Sequence, residues 1–342
     1  MAQMTSALIV GVSSTKLTAA ERAFLKDVKP AGLILFRRNV VFTDLVRPLV
    51  NDARDAVGRD DFLVLIDQEG GRVQRLKPPA AHDLPPAANF WPVYEADAER
   101  AKSAAFAIAR LCAAELVVHG INMNCAPVLD VPVPGSHAII GDRAYGADVA
   151  QVVALAREVA NGLMAGGVCP VIKHIPGHGR ATADSHLALP VVATDLPKLS
   201  ATDFATFKAL ADMPAAMTAH VVFSAIDARH PASTSAKVTR DIIRGAIGFD
   251  GFLMSDDLGM HALKGPMRSR AEAVIAAGSD VALHCSGDMA EMRAAAEGVP
   301  RLEAAAAKRF RRCLDILAQC EAFERAASEE ALAEALAVTA VA

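Results

Sequence analysis

Short apolar runs rich in β-branched residues recur along the chain, and each is followed by a longer stretch whose apolar positions repeat at helical spacing. This alternation predicts parallel strands joined by crossover helices. The runs are ALIVGV (7–12), AGLILF (31–36), FLVLID (62–67), INMNCAPV (121–128), VCPVIKH (168–174), AAMTAHVVF (215–223), GFLMSD (251–256) and DVALHC (280–285). They are apolar throughout rather than alternating, as strands covered on both faces are. Between them, 97–120 reads as a helix with Asp97 as N-cap and Gly120 as its stop, and 147–165, the region near 200–211, 268–277 and 288–297 follow the same rhythm. Eight such units in about 300 residues predict an α/β fold of the (β/α)8 barrel type rather than an open doubly wound sheet.

The rest of the chain fits around that barrel. The Pro-rich segment 76–92 reads as a long loop after the third strand, and the Ala-, Glu- and Arg-rich end, 301–340, as extra helices packed on the barrel. With no Ser-, Gly- or Pro-rich linker, residues 1–342 are expected to form one domain.

Composition narrows the function classes. The chain is 53% hydrophobic and 22% charged, enough for a large core and unlike a disordered chain. Lys plus Arg number 35 against 39 Asp plus Glu, so there is no basic field to hold a phosphate backbone, and nucleic acid is not expected as a partner. The six cysteines are scattered, mostly in apolar contexts and without a C-x-x-C pair, as core residues of a reducing compartment would be. The N-terminus lacks a basic segment before its short apolar run, and no apolar stretch reaches the ~18 residues of a membrane span. A cytoplasmic protein without membrane contacts is expected.

Ionisable residues gather where an α/β barrel keeps its site, at the C-terminal ends of the strands. Asp67 ends the third run, Asp130 follows the fourth, Lys173 and His174 end the fifth, His220 follows the sixth and Asp256 and Asp257 close the seventh. Each Asp could simply cap the next helix. Capping does not explain why Lys173, His174, Arg75 and Arg143 fall on the same rim, and buried charges are costly unless paired, so a shared pocket is the economical reading.

The densest stretch, KHIPGHGRATADSHLALP (173–190), allows three readings: a metal site, a mobile catalytic loop or a polar surface turn. His174, His178, Asp184 and His186 are ligand types, but their spacing crosses a Pro-Gly loop with no HExxH or C-x-x-C element, so no metal is expected. Asp184 and His186, two apart in extended backbone, would project to one side, letting the carboxylate bind one ring nitrogen and leave the other free for proton transfer. A surface His beside a surface Asp is the plain alternative.

Together these pieces resemble glycoside hydrolase family 3, in its branch of single-domain bacterial β-N-acetylhexosaminidases. The matching motifs are IDQEGGRVQRL (66–76), NMNCAPVLDV (122–131), IGDRAYG (140–146), VIKHIPGHGRATADSHLALP (171–190), MTAH (217–220) and GFLMSDDLGM (251–260), in the family's order. Two departures, Ile175 where Phe is frequent and Ala144 where many relatives carry Ser, remove no charged group.

The resemblance implies that Asp256 is the nucleophile, with Asp257 its rival, and that His186 paired with Asp184 is the acid/base. It also implies that Asp67, Arg75, Arg143, Lys173 and His174 hold the terminal sugar, which suits their capacity for charge-assisted hydrogen bonds. The implied reaction is retaining hydrolysis of N-acetylglucosaminides from cell-wall fragments, without cofactor, by a monomer acting on a small glycoside. Phosphorolysis, a metal-dependent hydrolase using the His loop and a non-catalytic sugar-binding barrel are the alternatives.

Overall fold

The computed structural model describes residues 5–337. Among them run, in chain order, the strands β1 (Ser6–Gly11), β2 (Pro30–Leu35), β3 (Leu63–Ile66), β4 (Gln68–Gly70), β5 (Val73–Gln74), β6 (Met123–Asn124), β7 (Cys169–Ile175), β8 (Val191–Val192), β9 (Ala215–Thr218), β10 (Val222–Phe223), β11 (Phe252–Asp257) and β12 (Val281–His284). Eight of them, β1, β2, β3, β6, β7, β9, β11 and β12, close into a parallel barrel in that cyclic order, the (β/α)8 architecture expected from the alternation. The remaining four form two small two-stranded sheets on the connections.

The barrel strands are buried on both faces, which is why their sequences do not alternate. Ile9, Ile34, Leu65, Val171, Met254 and Leu283 fill the interior. Their neighbours Leu8, Val10, Leu33, Val64 and Ile172 face the surrounding helices. The helix Ala304–Asp315 places Phe310 and Cys313 in the interior cluster, where Phe310 meets Phe252 edge to face at 5.8 Å. Cys313 Sγ lies 3.6 Å from the carbonyl of Pro214, just ahead of β9, so this helix plugs the end of the barrel where strands begin. The last helix, Arg325–Ala337, packs on the helix Ala98–Val118. The C-terminal extension is helical as expected, although positions 338–340 lie outside the described residues.

The cap Asp97 and the stop Gly120 read from sequence are where the structure has them, and Asp148 adds a cap that the reading of 147–165 did not name. Asp97 accepts from the Arg100 N–H and Asp148 from the Gln151 N–H, both at 3.0 Å, and Gly120 ends its helix region at φ +77°. Three boundaries differ. The run 121–128 pairs as a strand only at Met123 and Asn124, because Pro127 has no N–H to donate and the Asn side chains take over. Asn122 accepts from Val64 N–H at 2.7 Å, and Asn124 accepts from Gln68 N–H at 3.0 Å.

The run 215–223 divides after Thr218, and Val222 and Phe223 pair with Val191 and Val192 outside the barrel. The helix expected near 200–211 breaks at Thr202 into Leu196–Ala201 and Asp203–Ala209. There Arg180 binds Asp203 at 2.6 Å and Thr202 at 2.9 Å, tying the 173–190 loop to the break.

Candidate active site

A cavity of about 430 Å³ opens at the C-terminal end of the barrel, a size suited to a small ligand. Its floor is apolar, with Ile34, Met217 and Leu283, and its walls carry Asp67, Glu69, Arg75, Arg143, Lys173, His174, His178, His186, Asp256 and Asp257. Seven of the eight residues to which the resemblance gives a catalytic or sugar-binding role therefore line one space. The eighth, Asp184, stands behind His186.

Lys173 is the hub of one wall. Its Nζ is 2.9 Å from Asp67 Oδ1 and 2.6 Å from Glu69 Oε1, with only 3% of its side chain exposed. Asp67 Oδ2 also accepts from Arg75 Nη2 at 2.9 Å. Arg143 binds Glu69 in a two-pronged pair, Nε to Oε2 and Nη2 to Oε1, both 2.8 Å. Burial alone would raise these carboxyls, but the cations outweigh it. Asp67 is held well below its usual range by Lys173 and Arg75, and Glu69 is brought to about 2 by Arg143 and Lys173. The network thus stays ionised while presenting fixed charges to the cavity. Glu69 was not singled out from sequence. The signal was available: it follows Asp67 by two residues, the spacing that returns side chains to one face of an extended chain.

Adjacent residues in a strand normally point apart, yet Lys173 and His174 both reach the cavity. The pairing of β7 with β9 slips between Lys173 and Ile175, a bulge that re-aims the strand end. Asp130, fully buried, anchors both this strand end and the turn after it. Its Oδ2 lies 2.7 Å from His174 Nδ1, and its Oδ1 accepts the backbone N–H of His174 at 3.3 Å and of His178 at 2.6 Å. Gly179 then passes so close to Val131 that a Cβ would sit 2.0 Å from its carbonyl oxygen, so the PGHG turn packs tightly on the connection after β6.

The residues Asp184 and His186 are paired, but not in extended backbone as their spacing suggested. Leu187 and Ala188 donate their N–H groups to the Asp184 carbonyl, both at 2.9 Å, so the segment is a turn. Within it Asp184 Oδ1 takes both the His186 N–H at 2.9 Å and His186 Nδ1 at 2.8 Å. Short Asx side chains that bind the backbone two residues on favour such turns. Burial tends to raise the Asp184 carboxyl, but the His186 backbone and ring hold it below its usual value. His186 Nε2 is left without a protein partner among the described residues, and 62% of its side chain is exposed at the cavity mouth.

Across the cavity, the two aspartates at the end of β11 differ in how they are used. Asp257 Oδ1 accepts the N–H groups of Gly259 and Cys285, both at 3.0 Å, a bracing role between strand ends. Asp256 accepts only the neighbouring Asp257 N–H, at 2.8 Å on Oδ1, so Oδ2 is unclaimed among the described residues. His220 is 3.0 Å from the Asp257 carbonyl through Nε2, which therefore donates, while Nδ1 takes the Ser233 hydroxyl at 2.7 Å. Burial would raise the Asp256 carboxyl, yet His220, His174, the Asp257 N–H and His186 keep it below its ordinary value. Asp256 is ionised and partly unpartnered, as an attacking carboxylate must be.

The histidines of the 173–190 loop each have a separate partner: His174 is held by Asp130, His178 by Ser185 at 3.1 Å and His186 by Asp184. Among the described residues no group of three or more His, Cys, Asp or Glu side chains could hold a metal ion.

Comparison with known proteins gives the lineage of this arrangement. The glycosyl hydrolase family 3 N-terminal domain matches residues 1–315. A β-hexosaminidase of Alkalilimnicola ehrlichii is 38% identical over 283 residues, covering 82% of this chain and 80% of its own. One from Pseudomonas aeruginosa is 36% identical over 317 residues, 90% of this chain and 91% of its own. Among solved structures, NagZ from Neisseria gonorrhoeae in complex with N-trifluoroacetyl-D-glucosamine is similar at a TM-score of 0.86 and 31% identity, covering 97% of both chains. The matched range takes in all eight barrel strands, and on it the chain belongs to glycosyl hydrolase family 3.

Proposed function

We propose that the chain, a glycoside hydrolase of the β-N-acetylhexosaminidase type, is an exo-acting, retaining β-N-acetylglucosaminidase. One observation carries this reading: Asp256 at the end of β11 and His186 on the loop after β7 line the same cavity, with Asp256 Oδ2 and His186 Nε2 each without a protein partner among the described residues. Asp256 attacks the anomeric carbon while His186 gives its Nε2 proton to the leaving oxygen, forming a glycosyl ester and free aglycone. His186 then takes a proton from water, whose oxygen displaces Asp256. Asp184 accepts the Nδ1–H of His186 throughout, keeping that proton on the ring, and so fixes which nitrogen exchanges.

A cavity with a closed floor suits the end of a sugar chain rather than its middle. Asp67, Glu69, Arg75, Arg143, Lys173 and His174 would take the sugar hydroxyls, their geometry set in advance by their mutual pairs. Specificity for the acetamido sugar is supported by the relatives' β-hexosaminidase activity and by the N-acylated glucosamine held by the gonococcal protein. Peptidoglycan fragments ending in N-acetylglucosamine are the proposed substrates, processed by a monomer in the cytoplasm. The free thiols of all six cysteines fit a reducing compartment, and among the described residues no helix is long and apolar enough to cross a membrane.

The test uses purified protein with nitrophenyl β-N-acetylglucosaminide and nitrophenyl β-glucoside, each with and without EDTA, following the product anomer by NMR. Chelator-resistant release of the β anomer from the acetamido sugar alone is expected. First-formed α anomer, or loss of activity with EDTA, would contradict the proposal.

A further inference from the structure

His178 lies in the middle of the loop that carries the proposed acid/base, and the reaction as described leaves it idle. It is 3% exposed, borders the cavity and stands with its ring centre 5.7 Å from that of His174. Its Nε2 is 3.1 Å from Ser185 Oγ, while Nδ1 is buried with no hydrogen-bond partner among the described residues. A buried polar atom without a partner is costly, so a residue kept in this state calls for an explanation. Ser185, 3% exposed, sits between Asp184 and His186, and its carbonyl accepts the Ala262 N–H at 3.3 Å from the connection after β11.

We propose that His178 is a positioning residue, its hydrogen bond to Ser185 latching the turn that presents His186 to the leaving oxygen. The proposal rests on the acid/base assignment above. The backbone of His178 is fixed by Asp130, the residue that also holds His174 at the sugar-binding wall. One rigid carboxylate thus sets both the wall that holds the sugar and, through His178 and Ser185, the turn that delivers the proton. The neighbouring Asp184–His186 pair fixes the ring within the turn but does not fix the turn against the barrel. Among the described residues His178–Ser185 and Ala262–Ser185 are the hydrogen bonds that do so, and the first is made by side chains, which can be changed without altering backbone.

The latch acts on proton delivery rather than on sugar binding, which makes it separable. In Ser185→Ala, kcat/KM for N,N′-diacetylchitobiose, whose leaving alcohol needs protonation, is expected to fall about tenfold, the effect of losing one buried hydrogen bond. For nitrophenyl β-N-acetylglucosaminide, whose leaving group departs unassisted, the fall is expected to stay below about threefold. His178→Asn should show the same substrate split, and Ser185→Ala in a His186→Ala background should cost nothing further, since a latch without its acid has nothing to position.

Equal losses on both substrates, or an added loss in the double variant, would overturn the latch. The single His186→Ala variant separates this failure from that of the reading beneath it. If its loss depends on leaving group, the acid assignment stands and the Ser185 result decides the latch alone. If its loss is uniform, the acid assignment falls and the latch with it.

Discussion

His186 Nδ1 lies 2.8 Å from Asp184 Oδ1, and the same oxygen accepts the His186 backbone N–H at 2.9 Å. One carboxylate therefore fixes both the ring and the turn beneath it, and it leaves Nε2 as the only ring nitrogen available to a substrate. A histidine in a mere surface pair would have no reason to border the barrel cavity.

Replacing His186 by Ala should lower kcat/KM for disaccharides by about 10²–10⁴-fold, the usual range for general acid catalysis, with a much smaller effect on nitrophenyl glycosides. For the aryl substrates kcat and KM should fall together, because the glycosyl ester then waits for an unassisted water. Steady-state kinetics over a series of leaving groups checks this; a flat dependence contradicts the assignment.

Asp256 and Asp257 should separate cleanly. Asp256→Ala is expected to lose at least about 10³-fold in turnover while melting near wild type, as removal of a nucleophile does. Asp257→Ala gives up the acceptor of two backbone N–H groups, Gly259 beside it and Cys285 across from β11, and should cost about 1–3 kcal/mol of stability. Urea unfolding beside activity measurements distinguishes them, and an Asp257 variant that is inactive but fully stable would reverse the roles.

Much of this was legible in the chain because its causes are local. The apolar runs around Leu33, Val64 and Ile172 are long enough to be strands and too short to be helices, and Asp97 marks a helix start by cap chemistry. The sequence reading failed where side chains replace backbone. Asn122 and Asn124 complete a ladder that Pro127 interrupts, and Arg180 ties Asp203 and Thr202 at a helix break 22 and 23 residues away. In the site, charged types at strand ends announced Lys173 and His174, but Glu69 lies past the strand end in a Gly-rich hairpin, signalled by its spacing from Asp67 alone, and its partner Arg143 is 74 residues on. Nor could spacing alone foresee that the pair Asp184 and His186 would form in a turn.

Glu69→Gln should expose that missed role. Lys173 keeps Asp67, but the Arg143 guanidinium loses its carboxylate, and a buried charge left short of a partner costs about 3–5 kcal/mol. A lowered urea midpoint with unchanged slope is expected, together with a raised KM. A loss of stability under about 1 kcal/mol would mean that the network is not the support of the sugar wall.

Stability should also depend on acid in a way that names its groups. Burial, with His174 beside it, holds His178 down to about 4, against 6.5 when unfolded. Between those values the unfolded chain binds more protons, so stability is complete above pH 6.5 and is lost as pH falls toward 4. The lowered carboxyls of Asp67 and Glu69 act in the same direction further down, their contributions being present above their ordinary values of 3.8 and 4.5 and lost below them. Melting curves from about pH 7 to 4.5 should fall in the native protein and flatten in His178→Asn, with His178 contributing on the order of 3 kcal/mol at most. An unchanged slope in the variant would assign the acid sensitivity elsewhere.

The central claim is a glycosyl ester on Asp256, and the most direct measurement is to trap it. A fluorinated N-acetylglucosaminyl fluoride, which slows both steps but keeps a reactive leaving group, is incubated with the protein, which is then digested and analysed by mass spectrometry. The expected result is one modified peptide with the sugar on Asp256, formed as activity is lost and released as activity returns. No covalent adduct, or a sugar on Asp257, would contradict the mechanism.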